Sequence, residues 1–430
     1  MLNLQEEKKK ILGDISIRNL FLYVLTGVFA GLVVSLFKKG IGIFAGLAFE
    51  FLKDSNRSFI GWATFLAAFL VLGTLIYLLT KKDQNTRGSG IPTIYGLIDE
   101  KCQVNWKITL PLRFITSIMT VGSGLSLGRE GPSVQLGGLV GEAFSSLAKD
   151  KKDKKYFLGS GAGAGLAVAF NAPISGILFA IEEMFKKTDR KIFLSSALTV
   201  FSAVVFSNVV FGKHYVLKEL PRMTGLSNSF YGYVLLFAIL AGLSGVFFNF
   251  VVIGAKDVFK KIKINSFIKF LLPFLITGII ILADSRLFAA GENLIALPLE
   301  DNFSLATLIA FYFLKIFLLA ICFGVSVPGG SLVPLVVIGA LLGNIFGSFL
   351  ASLGIIGNEM IIVFTVLGIC GHFSAIVRSP ITAVILMVEM TAGGFEYLLE
   401  LGMVSLIAYL IAEFMNSKPF YEDLYERMFK

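Results

Sequence analysis

Cysteine is scarce in this chain: Cys102, Cys322 and Cys370 stand alone, odd in number and without a Cys-x-x-Cys pair. Neither a disulfide framework nor a thiolate zinc cage is suggested. Histidine is scarcer still, with only His214 and His372; metal-dependent chemistry has little to build on and no cofactor is expected. There is no Gly-x-x-x-x-Gly-Lys-Ser/Thr loop, which argues against an ATP-driven pump within this chain. The polar start, 1–10, lacks the basic, apolar and small-residue order of a cleavable signal. Charge is thin as well, at 16% of residues, where soluble globular chains carry about a quarter.

What the chain does have is apolar sequence. Hydrophobic residues make up 56% of its 430 positions, and the mean hydropathy is +0.81. These values define a polytopic membrane protein. Glycine, at 44 residues, and phenylalanine, at 42, suit helices packed closely against one another and against lipid. The formal charge of +9 sits mostly in short connecting segments such as Lys81-Lys82, 149–155 and 256–263. Anionic headgroups, rather than nucleic acid, are the expected partners of such runs, and the basic N-terminal tail predicts a cytoplasmic N-terminus.

The stretch Gly128-Arg129-Glu130-Gly131-Pro132 places a carboxylate and a helix start amid apolar residues. Pro132 suits the first helical position, where a missing N–H costs nothing. A helix that begins inside the bilayer leaves amide N–H groups unbonded and points the positive end of its dipole at them. Such a start wants an anion: Glu130 can supply one and a small solute anion another. In a soluble setting the same carboxylate would simply cap a surface helix.

Around this motif the expected apolar segments are 17–52, interrupted by Lys38 and Lys39, then 59–80, 106–123, 132–148, 156–170 and 192–211. Two segments are too short to cross. One follows Gly88-Ser89-Gly90-Ile91-Pro92 and runs to Asp99; at ~1.5 Å per residue it penetrates only part of a ~30 Å core. The other restarts at Pro173 and is predicted over 173–184. After a polar link, 212–229, the pattern begins again at Tyr231.

The chain also matches itself. Residues 161–184 align without gaps on 368–391, setting Pro173 on Pro380 and Glu182 on Glu389, an offset of 207. Residues 131–141 align on 333–343, setting Pro132 on Pro334 and Gly137 on Gly339, an offset of 202. Two repeats, 1–215 and 216–430, are therefore expected, with short Pro-interrupted segments at corresponding positions and a site between the halves near the midplane. The repeat sorts the carboxylates. Glu182 recurs as Glu389, which predicts a structural role such as accepting backbone amides. Glu130 falls opposite Leu332 and Glu183 opposite Met390. Acidic residues among apolar helices usually line an ion or proton path; for Glu183 the competing reading is an ion pair with Lys187 one turn on.

Four motifs in order make the chain resemble the CLC family of chloride channels and proton-coupled chloride transporters. Gly88 to Pro92 resembles the family's serine loop, Gly128 to Pro132 its gating-glutamate motif, and Gly329-Gly330-Ser331-Leu332-Val333-Pro334 its third anion-binding loop. Lys418-Pro419-Phe420-Tyr421 resembles the segment bearing its anion-coordinating tyrosine. The resemblance implies an all-α membrane fold of two inverted repeats with broken and half-length helices. It implies chloride held by the Ser89 and Tyr421 hydroxyls and by the amides of Ser331 and Leu332. Glu130 would be the external gate and Glu183 the internal proton-transfer residue. A homodimer with one pathway per subunit is implied too, in a bacterial inner membrane with both termini cytoplasmic. Taken singly, Ser89 reads as a turn residue and Tyr421 as an interfacial aromatic.

Two departures stand out. No cytoplasmic nucleotide-binding domain is expected after Tyr421, nor regulation by one. Tyr95 stands where some relatives carry an acidic residue, so the inner proton route is expected to differ in detail. The expected function is chloride/proton antiport, with chloride as substrate and the lipid bilayer as surroundings. The alternative is a passive chloride channel of the same fold. An intramembrane enzyme would need a nucleophile and base that the two histidines do not supply.

Overall fold

Prolines open the helices of this chain that stop short. Pro92, Pro173 and Pro380 lie in the first two positions of their helices, where a ring-fixed φ and a missing donor are harmless. A computed structural model describes residues 16–148, 150–213, 228–297, 304–391 and 395–429. Most of the 212–229 link, the 215/216 repeat boundary, His214 and the tail 1–10 lie outside the described residues.

Among the described residues the first half holds eight α-helices: α1 (Ile17–Ser55), α2 (Phe59–Lys82), α3 (Ile91–Ile98), α4 (Trp106–Gly122), α5 (Glu130–Ser145), α6 (Lys154–Phe170), α7 (Pro173–Phe179) and α8 (Arg190–Phe211). The second holds α9 (Tyr231–Lys261), α10 (Ser266–Ala283), α11 (Leu305–Gly324), α12 (Leu332–Ser352), α13 (Ile361–Val377), α14 (Pro380–Met390), α15 (Leu398–Phe414) and α16 (Phe420–Phe429). No strand occurs among the described residues, and eight helical segments are long and apolar enough to cross a membrane.

The long helix expected over 17–52 is present as α1, 39 residues long, with the Lys38 amine donating to the Val168 carbonyl at 2.8 Å. Two local details differ from the sequence expectation. Helix α5 starts at Glu130, two residues before Pro132, because the Ser133 amide already bonds the Arg129 carbonyl at 3.0 Å. The gate candidate itself is thus the first helical residue. The predicted 173–184 helix is α-helical only to Phe179 and widens into a π-turn over Ala180–Phe185, the turn that carries Glu182 and Glu183.

The aligned segments pack in the same way in each half. A methyl at Gly137 would lie 2.2 Å from the Gly161 carbonyl oxygen, and one at Gly343 would lie 2.0 Å from that of Phe364. Backbone therefore touches backbone between α5 and α6, and again between α12 and α13. The halves also exchange partners. Glu182 accepts the amides of Ile381 and Thr382 at 3.2 and 2.7 Å, while Glu389 accepts those of Ile174 and Ser175 at 2.9 and 2.8 Å. The structural role expected for the recurring glutamate is this cap.

Candidate anion and proton site

Three loops are sewn together where the broken helices begin. Gly128 and Gly330 exchange two amide–carbonyl bonds, each 2.7 Å long. The Gly88 amide reaches the Ser326 carbonyl at 3.0 Å, and the Gly329 amide returns to the Gly88 carbonyl at 3.1 Å. Gly90, at φ 88°, takes the left-handed turn that launches α3.

Arg113, wholly buried in α4, holds the first loop from behind. Its guanidinium donates to the carbonyls of Thr86 at 2.6 Å, Gly88 at 2.9 Å and Ser89 at 2.5 Å. Lys315, wholly buried in α11 and 202 positions further on, donates to the carbonyls of Leu287 and Ala289 at 2.9 Å each. Sequence reading passed over both residues. Their signal was a single cation inside an apolar run.

Glu130 is completely enclosed. One carboxylate oxygen accepts the Val333 amide at 3.3 Å, in the first turn of α12. The other lies 3.4 Å from Arg129 Nε without a hydrogen bond. Arg129 reaches Glu292 as well, at 3.3 Å. The amide that meets Glu130 belongs to Val333, next to the Ser331 and Leu332 named from the motif. It is one of the free donors that a buried helix start presents to an anion.

The hydroxyls come to the same place. The Ser89 Oγ is buried and has no hydrogen-bond partner in the described structure. A methyl on Gly131 would fall 2.9 Å from it and 2.9 Å from Gly330 Cα, which places Ser89, Gly131 and Gly330 in contact. Tyr421, wholly buried at the start of α16, has its hydroxyl 3.0 Å from the Ser331 hydroxyl. The starts of α3, α5, α12 and α16 thus meet through Ser89, Gly131, Ser331 and Tyr421.

Glu183 sits apart, also buried. Its carboxylate accepts the Tyr95 hydroxyl and, at 3.1 Å, that of Ser379. Lys187 takes no part among the described contacts; the ion pair from this segment joins Lys186 to Glu422 at 2.7 Å. A cavity of about 380 Å³ leads to Glu183 past Asp99, Lys186, Glu422 and Tyr425. A different cavity, of about 900 Å³, leads to Ser89 past Arg87, Lys256, Lys260, Lys418 and Arg427. Both open on the face that carries α16. From the Lys260 end, the 18 residues of α10 carry the chain ~27 Å to the other face. There a third cavity, of about 260 Å³, lies among Lys38, Gly128, Arg129, Glu292 and Val333.

Broken helices whose starts meet inside an apolar bundle, with one cavity reaching Ser89 and another reaching Gly128 and Val333, are the architecture of a membrane protein that passes small ions. The chain belongs to the voltage-gated chloride channel family, whose model matches residues 69–413. This is the CLC family that its motifs resemble. It is 33% identical over 427 residues to the H(+)/Cl(−) exchange transporter ClcA of Vibrio cholerae serotype O1 (strain M66-2), covering 96% of this chain and 90% of that one. It is 34% identical over 422 residues to ClcA of Cronobacter sakazakii, covering 95% and 89%. Among solved structures, a slow cyanobacterial Cl−/H+ antiporter superposes with a TM-score of 0.87 at 25% identity, over 96% of this chain and 99% of that one. A CLC-type fluoride/proton antiporter shares the fold at 22% identity, with a TM-score of 0.78 over 93% and 96%.

Proposed function

We propose that this chain is a secondary active antiporter that moves chloride in exchange for protons. The observation that carries the reading is the bond from the Val333 amide to Glu130, because it seats a protonatable side chain on a donor that could otherwise hold an anion. Ionised, Glu130 fills that position; protonated, it no longer competes with chloride, which is then held by Ser89, Tyr421 and the amides around Ser331 and Leu332. Donors without a full charge bind an anion loosely enough to let it leave. Glu183, approached by its own cavity, delivers protons without sharing the anion's basic vestibule. Transport relatives named as H(+)/Cl(−) exchangers support the same reading.

Sidedness follows from charge. The α16 face gathers Arg87, Lys256, Lys260, Lys418 and Arg427, and the positive-inside rule makes it cytoplasmic. The first described helix joins that face, since Asn19 bonds Asp153 at 2.5 Å and Lys155 lines the Glu183 cavity. Both termini are then cytoplasmic, in a bacterial plasma membrane. The working unit is a homodimer with one pathway per subunit. Glu182 and Glu389 are only partly covered by their own chain, beside Ile174 and Ile381, which are half exposed. A second copy related by a twofold axis would shield these carboxylates from lipid.

The test is reconstitution in liposomes. An imposed chloride gradient should drive protons against their own gradient. Chloride flux with no proton movement would make the protein a passive channel.

A further inference from the structure

Arg129 stands between two carboxylates and is committed to neither. Its Nε is 3.4 Å from Glu130 Oε1, its Nη2 is 3.3 Å from Glu292 Oε1, and neither contact is a hydrogen bond. Arg129 Nε and Glu130 Oε1 are both buried without a partner. A guanidinium given one carboxylate would fork onto it through two parallel bonds. Here it is divided.

The three side chains differ in access. Glu130 is sealed, Arg129 is 23% exposed and Glu292 is 45% exposed, so access to solution rises outward from the gate to Glu292. Glu292 does not ride on a free loop. Lys315 grips the carbonyls of Leu287 and Ala289, the Ala289 amide bonds the Gly124 carbonyl at 2.9 Å, and Gly291 turns at φ 89° with Lys315 Cε 2.6 Å from where a methyl would sit. The charged groups facing it are Arg129 and Glu130 at the start of α5, Lys38 and Lys39 on α1, and the Lys315 amine on α11, which is taken up by carbonyls.

We propose that Glu292 is a positioning residue for the gate: by drawing Arg129 toward the rim, it keeps the ionised Glu130 loosely held and free to leave the anion position. With Glu292 charged, Glu130 is retained by little more than the Val333 amide. With that charge gone, Arg129 closes on Glu130 and the gate stays shut until stronger acid protonates it. Glu292 itself lines the cavity that reaches Gly128, Arg129 and Val333 from this face. The inference rests on the antiporter reading for Glu130, but it is measurable in chloride flux alone.

The experiment compares wild type with Glu292→Gln and Glu292→Lys in liposomes, following chloride efflux and proton uptake over a series of external pH values. Each variant is first checked by size-exclusion elution, which a change at this exposed position should not disturb. Glu292→Gln should slow both ions together at neutral pH with their ratio unchanged. It should also move the external pH of half-maximal rate downward by about one unit, the usual size of an added opposite-charge contact on a carboxylate. Glu292→Lys, which repels Arg129 toward Glu130, should move it further the same way. On an Arg129→Gln background each shift should shrink to the smaller direct effect of the Glu292 charge on Glu130. Profiles that overlay wild type, or a shift that keeps its full size without Arg129, would overturn the assignment. A wild type that moves chloride and no protons would instead overturn the antiporter reading, and the chloride profile would still decide the role of Glu292.

Discussion

Glu182 and Glu389 each cap the helix whose far end carries the other. Glu182, in the π-turn that continues α7, takes the first amides of α14 together with the Thr382 hydroxyl at 2.6 Å; Glu389, in the last turn of α14, takes the first amides of α7 and the Ser175 hydroxyl at 2.6 Å. The matching bonds keep the sequence offset of 207. Each half finishes its broken helix with a residue borrowed from the other.

Equivalence of that kind predicts equal damage. Glu182→Gln and Glu389→Gln should each cost about 2 kcal/mol, the scale of hydrogen bonds to a charged acceptor. Their losses in thermal stability of the detergent-purified protein should match, and residual protein should retain proton coupling. A large difference between the two would show that the caps are not equivalent.

The neighbouring carboxylate should fail in another way. Glu183→Gln removes the dissociable proton but keeps an acceptor for Tyr95 and Ser379, so folding should be preserved. Chloride-driven proton movement should stop while chloride flux continues through the separate vestibule, as read from both fluxes in the same vesicles.

Glu130→Gln should leave chloride flux that no longer varies with pH, and it should abolish proton coupling. The amide cannot ionise, so it never competes as a carboxylate for the Val333 donor. Proton pumping at the parental rate in this variant would rule out competition as the coupling step.

At the first loop, Ser89→Pro removes a compact hydroxyl donor that no protein group uses. Preference should move from chloride toward nitrate by several-fold, measured as relative permeation of the two anions. Identical selectivity in both proteins would remove Ser89 from the anion site.

Arg113 offers a test with an internal standard, because Lys315 already does the equivalent task with an amine. Arg113→Lys should retain most of the folded yield, its amine reaching two of the three carbonyls. Arg113→Met should lose a few kcal/mol, since three buried carbonyls lose their donor, and transport of both ions should fall together.

The parts of this protein legible from its sequence are those written in backbone chemistry or in repetition. Gly-Ser-Gly-Ile-Pro and Gly-Arg-Glu-Gly-Pro announce buried helix starts because glycine and proline have few other uses there, and Glu182 is legible because Glu389 repeats it. Arg113 and Lys315 were not, because what they hold is main-chain carbonyl, which leaves no letter in the sequence. Glu292 lies in an irregular stretch with no period to mark it. Tyr95 and Glu183 meet across 88 positions; only the fold brings them together, and it replaces the pairing with Lys187 that helical spacing offered. The start of α5 moved from Pro132 to Glu130 for a similar reason, since the bond that sets it is made by Arg129 and Ser133, and neither residue type is diagnostic.

The two-bond bridge between Gly128 and Gly330 also sets a timetable for biosynthesis. At ~5–20 residues per second the ribosome needs about 10–40 s to go from one glycine to the other. Through that interval the Arg129-Glu130 turn exists without its partner loop, and Glu130 has no Val333 amide to rest on. Faults in the later sequence, such as bulk at Gly330, should show up as early loss of the whole chain to proteolysis.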